Sequence, residues 1–336
     1  MAKLSKDKRD IFYRKAKEEG WRARSAFKLI QLDSVFHLFD GVTRAVDLCA
    51  APGSWSQVLS RKIYQNAEME IGEAKASEKV KLVSVDLNPM APLPGVIQIQ
   101  GDITSVKTAN EIIKAMDGKA QLVVCDGAPD VTGLHDLDEY LQAQLVFAAF
   151  SIAYRLLEKD GTFVAKVFRG PDASDLLYSQ MHTFFPFVTI SKPKSSRNSS
   201  LEAFIVCKKF TPLPGYIPPL GSLGDDEDEK IKEAKSRMDE LVADEKKDEE
   251  EEADRVIGEE GVDIPEVILD PAAAKIQSSL QAALTPFLAC GDLSGFDSDA
   301  SYALSHAHAP LPPVQPPIDT AYKEATEMRR RGELKE

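Results

Sequence analysis

Arg44-Ala45-Val46-Asp47-Leu48-Cys49-Ala50-Ala51-Pro52-Gly53-Ser54-Trp55-Ser56-Gln57 decides the fold of this chain. A short apolar run reads as a strand. It breaks into a turn of small residues, and Ser54 or Ser56 is placed to cap a following helix. A strand that passes through a small-residue turn into a helix is the opening unit of an open parallel sheet, where ligands bind beyond the carboxyl ends of the strands. Small side chains there let a ligand approach the backbone. The stretch is not a GxGxxG pattern, and no phosphate-cradling Lys follows Gly53. A dinucleotide or a nucleoside triphosphate is therefore disfavoured, and with it a dehydrogenase.

Outward from this turn, apolar β-branched runs alternate with helical segments. The expected strands are Arg44–Leu48, Lys81–Asp86, Val96–Gln100, Gln121–Asp126, Gly161–Phe168, Phe185–Ile190 and Glu202–Lys208. The expected helices are Ala23–Phe36, Ser54–Tyr64, Thr108–Met116, Leu137–Glu158 and Ala173–His182. In the longest, Leu137, Leu141, Leu145, Ala148, Ile152 and Leu156 recur at spacings of four or three, one apolar face of a helix. Alternation of this kind indicates a doubly wound α/β fold with helices on both faces of a parallel sheet. Only the polar stretch Ser191–Ser200 separates the last two strands, too little for a helical crossover, so they form an antiparallel pair. The expectation is a Rossmann-like, seven-stranded, mostly parallel sheet with one antiparallel strand. Residues Gln65–Glu78 read as a loop or a helix extension.

Charge divides the chain. Residues 1–224 carry 28 Lys+Arg against 25 Asp+Glu, and residues 225–254 carry 6 against 16. The net charge of −13 thus describes the tail and does not argue against binding nucleic acid. The first 28 residues hold ten Lys+Arg, interleaved with Phe12, Tyr13 and Trp21. Basic groups meet phosphates and aromatic faces stack on unpaired bases; a solvated amphipathic helix is the simpler reading. Past Phe210 the alternation fails. Residues 1–210 read as one domain and 211–336 as an acidic, Pro-containing, partly ordered extension suited to partners. Within it, helices are expected around Ile231, Ala234, Met238 and Leu241 and over Pro271–Cys290, with an extended segment at Pro310–Pro317. The four cysteines are far apart with no CxxC, which indicates neither zinc nor a redox pair and suits a reducing, cytoplasmic setting. No continuous apolar segment suggests a membrane, and no metal site is indicated.

A glycine and two carboxylates follow the first three strands in order. After Gly53 come Asp86 at the end of the second strand and Asp102 just past the third. An acid at the first position can accept both hydroxyls of a ribose, and one at the second can meet an adenine amino group. The series has the spacing of an S-adenosyl-L-methionine site. Four further charges sit in telling contexts. Asp126 ends Leu122-Val123-Val124-Cys125, Lys166 interrupts Thr162–Phe168, Glu202 opens Glu202–Val206, and Lys28 ends Arg22-Ala23-Arg24-Ser25-Ala26-Phe27-Lys28. A charge in an apolar run costs folding energy unless it is paired or used.

These motifs, with Cys125-Asp126-Gly127-Ala128-Pro129 and Arg197–Phe204, make the chain resemble the FtsJ-type RNA ribose 2′-O-methyltransferases over about residues 20–208. The resemblance implies a class I methyltransferase sheet. It implies a catalytic Lys-Asp-Lys-Glu tetrad at Lys28, Asp126, Lys166 and Glu202. It also implies contacts to S-adenosyl-L-methionine from Gly53, Trp55, Asp86, Asp102 and Asp126, with S-adenosyl-L-homocysteine as product. Many members carry a second Gly where this chain has Ser54. Within the family, Lys194–Phe204 and Ala289–Asp299 resemble the branch acting on tRNA anticodon-loop riboses at positions 32 and 34. That branch works with separate auxiliary proteins, a WD-repeat propeller or a large helical-repeat protein.

A ribose hydroxyl is a poor nucleophile and a sulfonium methyl a good electrophile, so alignment and deprotonation are the tasks. Lys166 is either the base or a cation that stabilises charge developing on the oxygen. Alternatives are the same chemistry on ribosomal RNA or an mRNA cap, and a non-catalytic RNA-binding scaffold.

Overall fold

The computed structural model describes residues 10–129, 135–169, 173–218, 286–300 and 302. Two helices, α1 (Ile11–Glu18) and α2 (Ala26–Phe36), precede the sheet. Strand β1 (Arg44–Leu48) then feeds α3 (Ser54–Leu59), which continues as a π-helical turn (Ser60–Tyr64) into α4 (Gln65–Ile71) and α5 (Glu73–Lys79). There follow β2 (Lys81–Asp86), β3 (Val96–Gln100), α6 (Val106–Met116), β4 (Ala120–Cys125), α7 (His135–Leu156), β5 (Leu157–Phe168), α8 (Ala173–Phe184), β6 (Phe187–Pro193) and β7 (Glu202–Lys208). The stretch 65–78 is thus helical.

The strands lie in the order β3-β2-β1-β4-β5-β7-β6, and β7 alone runs against its neighbours. This is the expected mostly parallel sheet with one antiparallel member. The count is eight rather than seven. Strand β8 (Phe287–Cys290) pairs in parallel with β6, setting Ile190 opposite Phe287 and Pro193 opposite Cys290. A helix was expected over Pro271–Cys290; residues 271–285 lie outside the described part, and its last four residues are strand. The open edge of β6 offers unpaired backbone groups, and satisfying them outweighs a local helical pattern. The expected helix at 231–241 and the extended segment at 310–317 also lie outside the described residues.

Period-two alternation sends the two faces of each strand into two cores. Val46, Leu48, Val83, Val123, Phe163 and Ile205 face α6, α7 and α8. Ala45, Leu82, Leu122, Val124, Val164, Phe204 and Val206 face α2 and α3. By the same alternation Asp126 shares a face with Val124, Lys166 with Val164, and Glu202 with Phe204. That is the face covered by α2, the helix that carries Lys28.

Two expectations about helices are corrected. On α7 the buried face takes in Ile152 and Leu156 of the expected stripe, with Leu145 and Ala148 half-buried against the core, and it is widened by Gln142, Val146, Ala149, Phe150 and Ala153. A buried Gln is tolerated because its Nε2 donates to the carbonyls of Lys166 (2.7 Å) and Gly127 (3.1 Å). At the N-terminus, Phe12 and Trp21 turn inward; Phe12 packs 5.5 Å from Phe27, leaving only Tyr13 of the three aromatics exposed. Phe12 and Trp21 therefore pack the core and have no free face for a base.

Candidate active site

Strand register sets the site. Leu48 lies opposite Val85 on one side and Cys125 on the other; Cys125 lies opposite Ala165, and Phe168 opposite Glu202. Asp102, Asp86, Gly53, Asp126, Lys166 and Glu202 therefore fall in one row along the carboxyl edge of β3, β2, β1, β4 and β5 and the opening end of β7. The row crosses the point where strand order reverses, between β1 and β4.

All four tetrad candidates meet. Lys28 Nζ donates to Glu202 Oε2 at 2.7 Å and lies 3.8 Å from Asp126 Oδ1. Lys166 Nζ donates to the Asp126 carbonyl at 2.7 Å and lies 3.3 Å from Asp126 Oδ1. The charges alternate, Lys166–Asp126–Lys28–Glu202, within a largely buried cluster. Burial works against the Lys28 ammonium, but the Asp126 and Glu202 carboxylates outweigh it and raise its pKa. Burial likewise works against ionised Glu202, and Lys28 chiefly, with the Ser196 hydroxyl, holds its pKa below the ordinary value. The Phe204 ring sits beneath Lys28, with the ammonium 5.7 Å from its centroid.

The donor-side candidates are adjacent, but they are held differently. Asp86 Oδ2 accepts from the Ala51 amide and Oδ1 from the Asn88 amide, both at 2.8 Å, which ties the β1–α3 turn to the end of β2. Asp102 is exposed, and its Oδ1 accepts from the Thr104 amide and hydroxyl at 2.8 Å. Gly53 has φ +96°, where only glycine sits without strain, and a Cβ there would strike the Arg22 guanidinium at 2.4 Å. Trp55 departs from a side-chain contact role: it is 1% exposed, donates from Nε1 to the Ser25 carbonyl at 2.9 Å, and packs 5.5 Å from Phe204.

This side fits a nucleoside-bearing methyl donor. Asp86 Oδ2 has one bond, from the Ala51 amide, and so can accept a ribose hydroxyl; Oδ1 takes both the amide and, at 3.3 Å, the side-chain Nδ2 of Asn88. Asp126 Oδ1 is buried and makes ion-pair contacts but accepts no hydrogen bond. It lies between the two ammonium groups, and its strand position puts Asp126 between Gly53 and Lys166 in the row. Among the described residues, no group of three or more His, Cys, Asp or Glu could hold a metal ion.

Three polar residues at this rim escaped the sequence reading. Arg22 donates to the carbonyls of Pro52 (3.2 Å), Ala91 (2.8 Å) and Pro92 (3.0 Å), binding together the loops after β1 and β2. Ser196 Oγ donates to Glu202 Oε1 at 2.6 Å. Gln142 spans the backbone on both sides of Asp126. Arg22 and Ser196 lie in quoted motifs, which was the available signal; Gln142 had none, because its partners are carbonyls remote in sequence.

Residues 21–210 match the FtsJ-like methyltransferase family. A Homo sapiens protein named tRNA (cytidine(32)/guanosine(34)-2′-O)-methyltransferase is 49% identical, with 99% of this chain and 87% of that protein covered. A Schizosaccharomyces pombe protein of the same name is 45% identical over 98% of both. A Methanothrix thermoacetophila ribosomal RNA large subunit methyltransferase E is 39% identical, covering 63% of this chain and 76% of that protein.

Proposed function

We propose, from the premise that the chain belongs to the FtsJ-like methyltransferase family, that it methylates the 2′-hydroxyl of tRNA anticodon-loop riboses at positions 32 and 34. The relatives carrying that name match almost the whole chain, including residues beyond 210. The ribosomal RNA methyltransferase matches only 63% of it. One observation carries the chemistry: a closed Lys166–Asp126–Lys28–Glu202 network standing beside the Gly53–Asp86 rim.

The methyl donor expected at this rim is S-adenosyl-L-methionine, which supplies a methyl on a positively charged sulfur and leaves as S-adenosyl-L-homocysteine. Asp86 accepts the ribose hydroxyls of the nucleoside, Asp102 meets its base, and Gly53 and the Trp55 backbone line the turn; the Trp55 side chain stays in the core. Asp126 faces both the donor and the amines. With one hydrogen bond to the Asp126 carbonyl and an ion-pair contact to Oδ1, the Lys166 nitrogen keeps a valence free for the substrate. If the amine is neutral, that valence is a lone pair which takes the ribose proton. If it is charged, it is a third N–H which holds the oxygen's developing charge. Lys166→Arg separates the two, since Arg keeps the cation and cannot serve as base. Glu202 holds Lys28, which keeps Asp126 paired from its other side.

Residues 1–210 carry the tetrad and the donor rim, and the extension also serves partners. The partners are auxiliary proteins, a WD-repeat propeller or a large helical-repeat protein, which present the anticodon loop. Full activity of the isolated chain on tRNA would end that part. Free cysteines suit a cytoplasmic protein. The direct test is mapping of ribose methylation in cells lacking this chain. Loss at tRNA positions 32 and 34 is expected, and unchanged methylation there would sink the proposal.

A further inference from the structure

The loop 194–201 between β6 and β7 delivers Glu202, and three parts of the chain hold it. The N-terminal segment does so through Arg24, which donates to the Ser195 carbonyl, and through Asp10, whose Oδ2 lies 3.4 Å from the Arg197 guanidinium. From α2, Gln31 Oε1 accepts from the Ser195 amide at 2.9 Å. From the C-terminal extension, residues 286–300 and Tyr302 follow the loop. The Lys194 amide donates to the Cys290 carbonyl at 2.8 Å, and Ser298 Oγ donates to the Ser196 carbonyl at 3.1 Å. The Asn198 amide donates to Asp299 Oδ2 at 2.6 Å, and Lys194 Nζ lies 3.6 Å from Asp297 Oδ2. The strap is anchored at both ends, by β8 on β6 and by the Tyr302 carbonyl, which accepts from Arg14 at 3.2 Å. Gly291 (φ +98°) passes so close to α2 that a Cβ would lie 2.8 Å from Gln31.

This strap ends its influence on one atom. Ser196 is 3% exposed and Ser298 5% exposed, and Ser196 Oγ donates to Glu202 Oε1. The other oxygen of Glu202 takes the Lys28 ammonium. A carboxylate with one oxygen on a hydroxyl and the other on an amine has both its position and its rotation fixed. The Ser196 hydroxyl can do this only while its own backbone is held; its amide donates to the Pro193 carbonyl at 2.8 Å within the loop, and the strap bonds its carbonyl from outside.

We propose that residues 286–300, with Tyr302, are a positioning element of the active site, acting through Ser196 to fix Glu202 and, with it, Lys28. The inference rests on the tetrad reading above and extends it. Part of the C-terminal extension belongs to the catalytic machinery, and Ser196 is a positioning residue. Neither Ser298 nor Asp299 touches a tetrad side chain through any hydrogen bond or ion pair described above, so their effect must pass through the loop.

The test is a double-mutant cycle in the full-length chain, with the auxiliary subunits proposed above present throughout. Methyl transfer from labelled donor to tRNA is measured at saturating substrates, together with donor affinity and thermal melting. Loss of a hydrogen bond to a charged group predicts that Ser196→Ala lowers turnover about 10-fold or more, and Ser298→Ala about 3-fold. Donor affinity should stay within about twofold, and Ser196→Thr, which keeps the hydroxyl, should restore most of the rate. On the Ser196→Ala background, Ser298→Ala should cost almost nothing further, because the group it positions is gone. A strap that merely braced the fold would lower melting and multiply its loss onto any background. Full turnover in Ser298→Ala, or losses that multiply in the double variant, overturns the proposal while an inactive Lys166→Ala leaves the tetrad standing. An active Lys166→Ala overturns both.

Discussion

The two halves of the site differ in how their charges are held. On the donor side, Asp86 and Asp102 are partly or fully exposed, and each bonds backbone close to it in sequence or in the adjoining turn. On the catalytic side, Lys28, Asp126, Lys166 and Glu202 bond one another across separations of up to 174 residues, in a cluster nearly closed to solvent. The donor half therefore binds with groups the local chain already orients. The catalytic half exists only when α2, β4, β5 and β7 are all in place. Binding and turnover are expected to fail separately when these halves are cut.

The sharpest break is Lys166→Ala. Loss of a base or of an equivalent charge predicts a fall in turnover of about 10³-fold with donor affinity nearly unchanged. Weakened donor binding of similar size would erase the distinction between the halves. Asp126→Asn falls on the boundary, since Asp126 faces both. It should lower turnover about 10²-fold and also weaken the donor several-fold, which calorimetry on the variant would read. Asp86→Ala should act on one side alone, raising the donor KM about 10-fold while turnover at saturation survives. A collapse of saturated turnover would place Asp86 in the chemistry instead.

The smallest effect concerns stability. Asp47, beneath the donor turn, is fully buried, and burial chiefly, with the nearby Asp126 and Asp86 charges, pushes its pKa up to about 8 against the opposing Ser56 hydroxyl. Between about pH 4 and pH 8 the unfolded chain has released this proton and the folded chain keeps it, so stability falls as pH rises. In that window the wild type should lose about 1.4 kcal/mol per pH unit more than Asp47→Asn, one proton's worth. Denaturant titrations at pH 5, 6 and 7 give the two slopes. Equal slopes would mean Asp47 is ionised in the folded protein.

Most of the sheet was legible in the sequence. Strands β1, β2, β3 and β7 begin and end where alternation and turn residues place them. Strand β5 starts earlier than expected, at Leu157, because Lys159-Asp160-Gly161 is accommodated as an irregularity within the strand, with Asp160 at φ +67° and its amide on the Phe210 carbonyl. The eighth strand was missed for a different reason. Four apolar residues have no periodicity of their own, and only the open edge of β6 gives them a conformation. Gln142 was passed over on α7 because a glutamine counts as polar until two carbonyls, one in the loop after β4 and one in β5, are brought to it.

The site divides in the same way. Motif residues named the tetrad, and the alternation of β4, β5 and β7 already places Asp126, Lys166 and Glu202 on one face. No sequence pattern indicated that Ser196 would close onto Glu202, that Trp55 would spend its side chain on the core, or that residues beyond 285 would return to brace the loop.

The positions of most strands along the chain, the small-residue turn after β1 and the charges set into apolar runs were determined by the sequence alone, because period and turn chemistry act over a few residues. Tertiary structure decided which of those charges touch, which carboxylate lies between two ammonium groups, and which distant segment holds Glu202 still. Those outcomes depend on hydrogen bonds between groups that become neighbours only after both faces of the sheet are covered, and desolvation there makes each pairing obligatory.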